Sequence, residues 1–206
     1  MKPKQIFILL PIILLMLRCS EPNNVTIFSN GVQLQREDCQ VKIQFYNDHI
    51  VRVIKWPEGG RADKKSLTVL AEPDSSFNIT VEESNDFITL SSAALKVILN
   101  RKTGDIKYST ITDTLLLIET GQSFEPVVFA DDSGYHVLQK FNLSAGEGVY
   151  GLGGHQSGYM NYRGKTMVLS QANTEDVTPF LISTNGYGIL WDNYSYSVFS
   201  DSTKDT

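Results

Sequence analysis

Val41-Lys42-Ile43-Gln44-Phe45-Tyr46 puts an apolar residue at every second position. In an extended chain successive side chains point to opposite faces, so such a run buries one face and wets the other. The same period continues outward in both directions. Upstream, Val25-Thr26-Ile27-Phe28 and Val32-Gln33-Leu34-Gln35 flank an Asn30-Gly31 turn, a tight hairpin signal. Downstream, a strand is expected over 50–56, closed by Pro57-Glu58-Gly59-Gly60, and others over 67–70, 77–81, 87–90 and 95–99. Residues 100–105 read as a turn, with a return strand over 106–108. Further strands are expected over 115–118, 127–129, 135–141, 166–169, 180–183, 187–191 and 194–199, with a second hairpin turn at Asn185-Gly186. Beyond the first twenty residues no long window carries a clean helical period. Short strands punctuated by turn residues at this spacing predict an all-β chain folded as an antiparallel β-sandwich.

A chain of 206 residues is long enough for one or two domains with a buried core. An apolar share of 41% and a charged share of 20% are those of a globular protein. The net charge is −5 and no Lys/Arg stripe is present, which argues against a nucleic-acid partner and for a small or neutral ligand.

The amino terminus reads as a targeting segment. Lys2 and Lys4 precede an almost unbroken apolar run over 6–17, and Arg18-Cys19-Ser20 follows. The run is short for a membrane span and fits a signal peptide. A cysteine directly after it points to bacterial lipoprotein processing, with residues 1–19 as the signal and Cys19 as the lipidated first residue. Arg18 stands where that motif usually has a small residue. An ordinary export signal or an uncleaved anchor are the alternatives. The expectation is an exported chain held to the membrane by lipid, in the periplasm or outer membrane, or else secreted. Glu21-Pro22-Asn23-Asn24 forms a polar tether, and residues 20–206 form the domain. Cys39 is then left alone at the start of an alternating run and reads as a half-buried small hydrophobe. A Cys19–Cys39 disulfide requires different processing of the signal, and the spacing suggests no zinc site.

Composition shifts near Gly146. Residues 146–173 are rich in glycine, polar residues and tyrosine, and are expected to form an ordered functional loop. His49, His136 and His155 are too scattered for a metal cluster, so no metal is expected. Asp131-Asp132 and Glu175-Asp176 are adjacent pairs whose side chains diverge on an extended chain; the first reads as part of a turn before Ser133-Gly134. Gly151-Leu152-Gly153-Gly154 is a weak match to a dinucleotide loop, because no helical period follows it and no βαβ unit surrounds it. Its glycines point instead to close backbone approach or positive φ. His155 reads either as a loop histidine holding its own backbone or as a residue shaping a binding mouth. Tyr159 and Tyr162 supply either a stacking face for a ligand or packing beneath the loop.

Four segments stand in a fixed order: Tyr150-Gly151-Leu152-Gly153, Gln171-Ala172-Asn173-Thr174, Thr178-Pro179-Phe180 and Gly186-Tyr187-Gly188-Ile189. This order resembles the segment that precedes the catalytic barrel in glycoside hydrolase family 31, which includes α-glucosidases and α-xylosidases. The Gly-Leu-Gly-Gly-His-Gln and Gln-Ala-Asn-Thr wording looks most like the xyloglucan-acting α-xylosidase branch. The resemblance implies a galactose-mutarotase-like supersandwich in an enzyme that hydrolyses α-linked glucose or xylose with retention, without metal or organic cofactor. Retaining enzymes need two carboxylates about 5 Å apart, and in this family both are carried by a (β/α)8 barrel of roughly 200 residues or more. No such alternation of strand and helix is present, so the chain is expected to stop before the barrel and to hold no catalytic residue. The domain would buttress the missing barrel and complete its sugar-binding rim. The resemblance places a rim residue, often an aspartate after Asn-Arg, at Asn173, whose amide donates and accepts hydrogen bonds but carries no charge. The candidate substrate contacts are Asn173, Thr174, Gln171, His155 and Tyr162, and the ligand is an α-linked oligosaccharide of xyloglucan or glucan type. The alternative is a stand-alone carbohydrate-binding surface lipoprotein. A sugar mutarotase needs a His and a Glu paired on one concave face, and no pairing is evident in the sequence.

Mass spectrometry of the chain recovered from a membrane fraction is expected to show lipid on Cys19 at the mature N-terminus. An unmodified first residue, or cleavage elsewhere, contradicts the lipoprotein reading.

Overall fold

The computed structural model describes residues 24–74 and 76–201. The leader and Cys19 lie outside the described residues. Every regular element described is a strand. β1 (Val25–Phe28), β2 (Gly31–Gln35), β3 (Cys39–Asn47) and β4 (Ile50–Pro57) form an antiparallel sheet in that order. β5 (Thr80–Glu83), β6 (Phe87–Ser91), β7 (Leu95–Asn100), β8 (Ile106–Thr110), β9 (Leu115–Phe129) and β10 (Asp132–Asn142) form a second antiparallel sheet, ordered β10-β9-β8-β7-β6-β5.

The alternation read over 41–46 is what joins these sheets. Cys39, Val41, Ile43 and Phe45 of β3 turn inward and meet Ile88, Leu90, Val97, Leu99 and Ile106 of the second sheet in one buried cluster. Two sheets that each hide one face against the other are the stable solution for period-two sequences. A polar plug ties them as well. The ammonium group of Lys55 on β4 lies 2.5 Å from Glu119 Oε1 on β9, both nearly buried. Lys55 also donates to Gln139 Oε1 at 3.1 Å, and the Tyr108 hydroxyl donates to Glu119 Oε2 at 2.8 Å. Burial, then the adjacent Glu119 charge, pushes the Tyr108 hydroxyl well above its ordinary pKa.

A second, smaller unit follows. β11 (Val149–Gly154), β13 (Asp176–Ser183) and β14 (Gly188–Leu190) form a three-stranded sheet ordered β11-β13-β14, while β12 (Thr166–Leu169) pairs with β15 (Ser197–Ser200). Leu152, Tyr162, Met167 and Leu169, with Val177, Leu181 and Phe199 against them, make its core. Asp192, just past β14, joins this unit to the first: it accepts from Arg52 on β4 at 3.0 Å and from Ser66 Oγ at 2.9 Å.

Several expectations are corrected. Residues 67–70 form no strand, because side chains take the backbone donors: Ser66 Oγ accepts from the amides of Thr68 and Val69, and the Tyr194 hydroxyl from that of Leu67. Of residues 77–81 only Thr80 and Val81 lie in a strand; Phe77 and Ile79 are apolar because they pack on the first core. The two strands expected over 115–118 and 127–129 are one strand, β9, which carries a bulge at Gly121 where its register with β10 shifts. The first hairpin turns at Ser29-Asn30, and Gly31 opens β2. Glycine is required there because a Cβ would lie 2.1 Å from the Ile43 carbonyl oxygen. Asp132 belongs to β10, so the tip of that hairpin is Ala130-Asp131. Cys39 is a free thiol and buried rather than half-buried; burial, then the neighbouring Asp38 charge, raises its pKa.

Phe45 is fully buried at the centre of the first core, so Phe45→Ala is expected to lower the unfolding free energy by about 3–5 kcal/mol. Val128→Ala, on the exposed part of β9, is expected to change it by less than about 0.5 kcal/mol. Urea denaturation of both variants checks this, and equal losses contradict the assignment of the core.

Candidate functional site

The stretch over 146–173, expected to be a loop, contains a complete strand, β11, hidden from sequence reading by its glycines. Gly151, Leu152 and Gly153 have φ of 102°, 64° and 99°, and the register between β11 and β13 shifts across them. A Cβ on Gly151 would lie 2.5 Å from the Phe180 carbonyl oxygen, and one on Gly153 2.0 Å from that of Asp176. Glycine is therefore demanded at both positions by close approach and by backbone conformation. Leu152 holds a left-handed conformation that costs a non-glycine residue about 1–2 kcal/mol, and its side chain is buried in the second core.

His155 repays that strain. Its Nε2 donates to the Leu152 carbonyl oxygen at 2.8 Å, and its Nδ1 meets Glu175 Oε2. Its side chain is only 2% exposed, and its ring meets Tyr162 edge-on with centroids 6.2 Å apart. Glu175 is the last residue of a two-residue hairpin. Ala172 and Glu175 form a β-bridge, and Asn173 and Thr174 are the turn between them. Gln171 secures the other side, its Oε1 accepting from the Val177 amide at 3.0 Å. The exposed turn borders a shallow cleft of about 440 Å³ lined by residues 154–156 and 171–176.

Four of the five sequence candidates thus converge on one cleft, but in different capacities. Asn173 and Thr174 are exposed at the tip, and Gln171 is exposed with one amide oxygen committed to the backbone. His155 lies behind them with both ring nitrogens engaged. Tyr162 is separate: it is buried in the second core and offers no stacking face, while its amide donates to the Val149 carbonyl at 2.8 Å. Of the two tyrosines weighed as a stacking face, Tyr159 is the exposed one, and its ring carries the Lys165 ammonium 4.3 Å from its centroid. A His–Glu pair does exist, contrary to the sequence reading, but the buried imidazole has no free nitrogen for a sugar ring. It acts as a clasp. Among the described residues no cluster of three or more His, Cys, Asp or Glu side chains is arranged to hold a metal ion.

Glu147 escaped sequence reading. The signal was a single carboxylate between Gly146 and Gly148, just ahead of an apolar strand. It is buried, and it accepts from Ser183 Oγ, the Tyr187 hydroxyl and the Ser144 amide. These bonds pin the start of β11 to the β13–β14 hairpin. Burial works to raise its pKa, but the three donors and the Arg163 charge outweigh it and hold the carboxyl below its ordinary value. Burial and the bond to Glu147 push the Tyr187 hydroxyl the other way, upward.

Residues 40–199 match the N-terminal galactose mutarotase-like domain of glycosyl hydrolase family 31. The chain belongs to that family. An α-xylosidase from Saccharolobus solfataricus is 36% identical over 171 residues, which are 78% of this chain and 23% of the relative. The crystal structure of a family 31 α-xylosidase from Xanthomonas citri superposes with a TM-score of 0.75 at 29% identity, covering 81% of this chain and 19% of that one. A soil-metagenome family 31 α-xylosidase solved with xylose gives a TM-score of 0.74 at 20% identity, over 86% of this chain and 29% of its own. The chain therefore spans less than a third of each of these relatives. The matched residues run from β3 into β15 and so include strands of both units, while β1 and β2 precede them.

The depressed Glu147 pKa fixes a pH dependence. Its contribution to stability is fully present above the unfolded value near 4.5 and is lost as the pH falls through the lower folded value. Glu147→Gln is expected to melt below the wild type at neutral pH, with the gap narrowing once the pH drops below about 4.5. A gap that stays constant or widens on acidification contradicts this role for the carboxylate.

Proposed function

We propose that this chain is the front portion of an exported retaining α-glycosidase of the α-xylosidase or α-glucosidase type, that lipid on Cys19 anchors it, and that its Asn173-Thr174 turn contributes to the rim of the sugar site. The observation that carries the reading is the turn itself: two exposed hydrogen-bonding side chains at the tip of a hairpin fastened by His155 and Glu175. Preorganised polar groups on a rigid base are what recognition of sugar hydroxyls requires. Both α-xylosidase matches above 25% identity support the substrate class, an α-linked oligosaccharide of xyloglucan or glucan type.

The chemistry belongs to the remaining part of the enzyme. Glu147 and Glu119 are buried and engaged by their own neighbours, and the Glu175 carboxylate is committed to His155. No pair among them forms the open, facing arrangement of two carboxylates that glycoside hydrolysis uses. The domain's mechanical part falls to the outward face of β11, β13 and β14, where Tyr150, Phe180, Ile182 and Leu190 are exposed together. An apolar face of this kind suits a seat for the catalytic barrel.

The test is a chimera in which this chain replaces the matching portion of the Saccharolobus solfataricus α-xylosidase. Loss of one hydrogen bond to a sugar hydroxyl costs about 0.5–1.5 kcal/mol, so Asn173→Ala is expected to lower kcat/KM roughly two- to tenfold. The chain by itself is expected to turn over no aryl α-xyloside. If Thr174→Ala or Gln171→Ala lowers kcat/KM and Asn173→Ala does not, the contact lies on a neighbour in the turn. If none of the three matters, the rim reading is wrong.

A further inference from the structure

Unpaired sheet edges invite other strands, and proteins guard them with charge, proline, bulges or brevity. The edges of the first sandwich obey this rule with one exception. β1 and β5 are four residues each, and β5 ends in Glu82-Glu83. β4 carries Arg52, Lys55 and Pro57. β10, the remaining edge, is 11 residues long. Between Asp132 and Lys140 it reads Ser133-Gly134-Tyr135-His136-Val137-Leu138-Gln139, with no Lys, Arg, Asp, Glu or Pro. Residues 132–138 are all exposed, including the large apolar side chains of Tyr135, Val137 and Leu138. The bulge in this hairpin lies in β9, at Gly121, so β10 runs unbroken.

We propose that β10 pairs antiparallel with β10 of a second copy of this chain, about a two-fold axis at His136. The occupant must be a strand, because an exposed row of backbone donors and acceptors is satisfied by another such row. Self-complementarity selects the copy. With His136 opposite His136, each register position meets a suitable partner twice over. Tyr135 faces Val137, an aromatic and β-branched pair that packs well across strands. Gly134 faces Leu138, leaving room for the larger side chain. Ser133 faces Gln139, and Asp132 faces Lys140, which puts opposite charges at both ends of the paired stretch. Moving the axis by one residue in either direction breaks both Asp132–Lys140 pairs. The result is an isologous contact that closes on itself and removes both edges at once.

Sedimentation equilibrium and crosslinking of the full chain test this. The wild type is expected to sediment as a dimer. Asp132→Lys and Lys140→Asp each set like charges opposite at both ends, and each is expected to weaken the dimer about tenfold. The double variant restores the pairing with the signs exchanged and is expected to recover the wild-type affinity. Neither change touches the buried core, so circular dichroism should be the same in all four proteins. In a Cys19→Ser background, His136→Cys places two thiols directly opposite across the axis, within disulfide reach. It is expected to form a covalent dimer under oxidising conditions, and Tyr135→Cys is expected to form much less. A wild-type monomer at concentrations on the order of 100 μM, where a Kd of about 1 μM would leave the chain almost wholly dimeric, overturns the proposal. So does a dimer that is indifferent to both charge changes, or one that crosslinks through Tyr135→Cys in preference to His136→Cys.

Discussion

The hydrogen bond from His155 Nε2 to the Leu152 carbonyl, with Glu175 on the other ring nitrogen, is the constraint around which the second half of this chain is arranged. Three successive residues with positive φ would leave β11 without a defined register. The imidazole fixes the middle one from below, in a site almost closed to water, where an unmet polar group costs about 1–3 kcal/mol. With the bulge fixed, Gly153 and Gly154 pair with Val177 and Asp176, and β13 has a defined start. The hairpin immediately before that start carries Asn173 and Thr174. One buried side chain thus links a strained backbone, the register of a sheet and the presentation of a polar turn.

Two buried carboxylates act in the same way at larger scale. Glu119 meets Lys55 across the first sandwich, and Glu147 gathers donors from Ser144, Ser183 and Tyr187. Burying a charge is unfavourable unless its partners are complete, and both are fully partnered: no buried side-chain polar atom among the described residues lacks one. Such groups add modest net stability. What they fix is alignment, because a one-residue slip would leave a charge unmet in the interior.

The sequence made the first sandwich legible because its strands are half-buried, and half-burial writes itself as alternation. The run around Ile43 and the runs around Leu90 and Val97 fell where β3, β6 and β7 lie. Misreadings came where apolar residues served another purpose. Leu67 and Leu70 are exposed beside side-chain-capped backbone, and Phe77 packs on the core from an irregular segment. The site was half legible. Glycine spacing and polar content marked the stretch around 151–174, and the ambivalence of Tyr162 between ligand and core resolved to core. The clasp could not be read. His155 and Glu175 are 20 residues apart, and neither periodicity nor turn chemistry says that a bulge will face them toward each other. In Val-Tyr-Gly-Leu-Gly-Gly the three glycines likewise offset the strand preference of Val149 and Tyr150, and pairing with β13 is what makes the segment a strand.

The most direct measurement is nuclear magnetic resonance of the imidazole protons in the folded chain. His49 is exposed and serves as the internal reference, since a solvent-exposed ring proton is expected to exchange rapidly with water. For His155 the expected result is an Nε2–H resonance that persists at neutral pH and shows cross-relaxation to Leu152 and to the Tyr162 ring. A His155 ring proton that exchanges as fast as that of His49 would contradict the clasp, and with it the ordered presentation of Asn173 and Thr174.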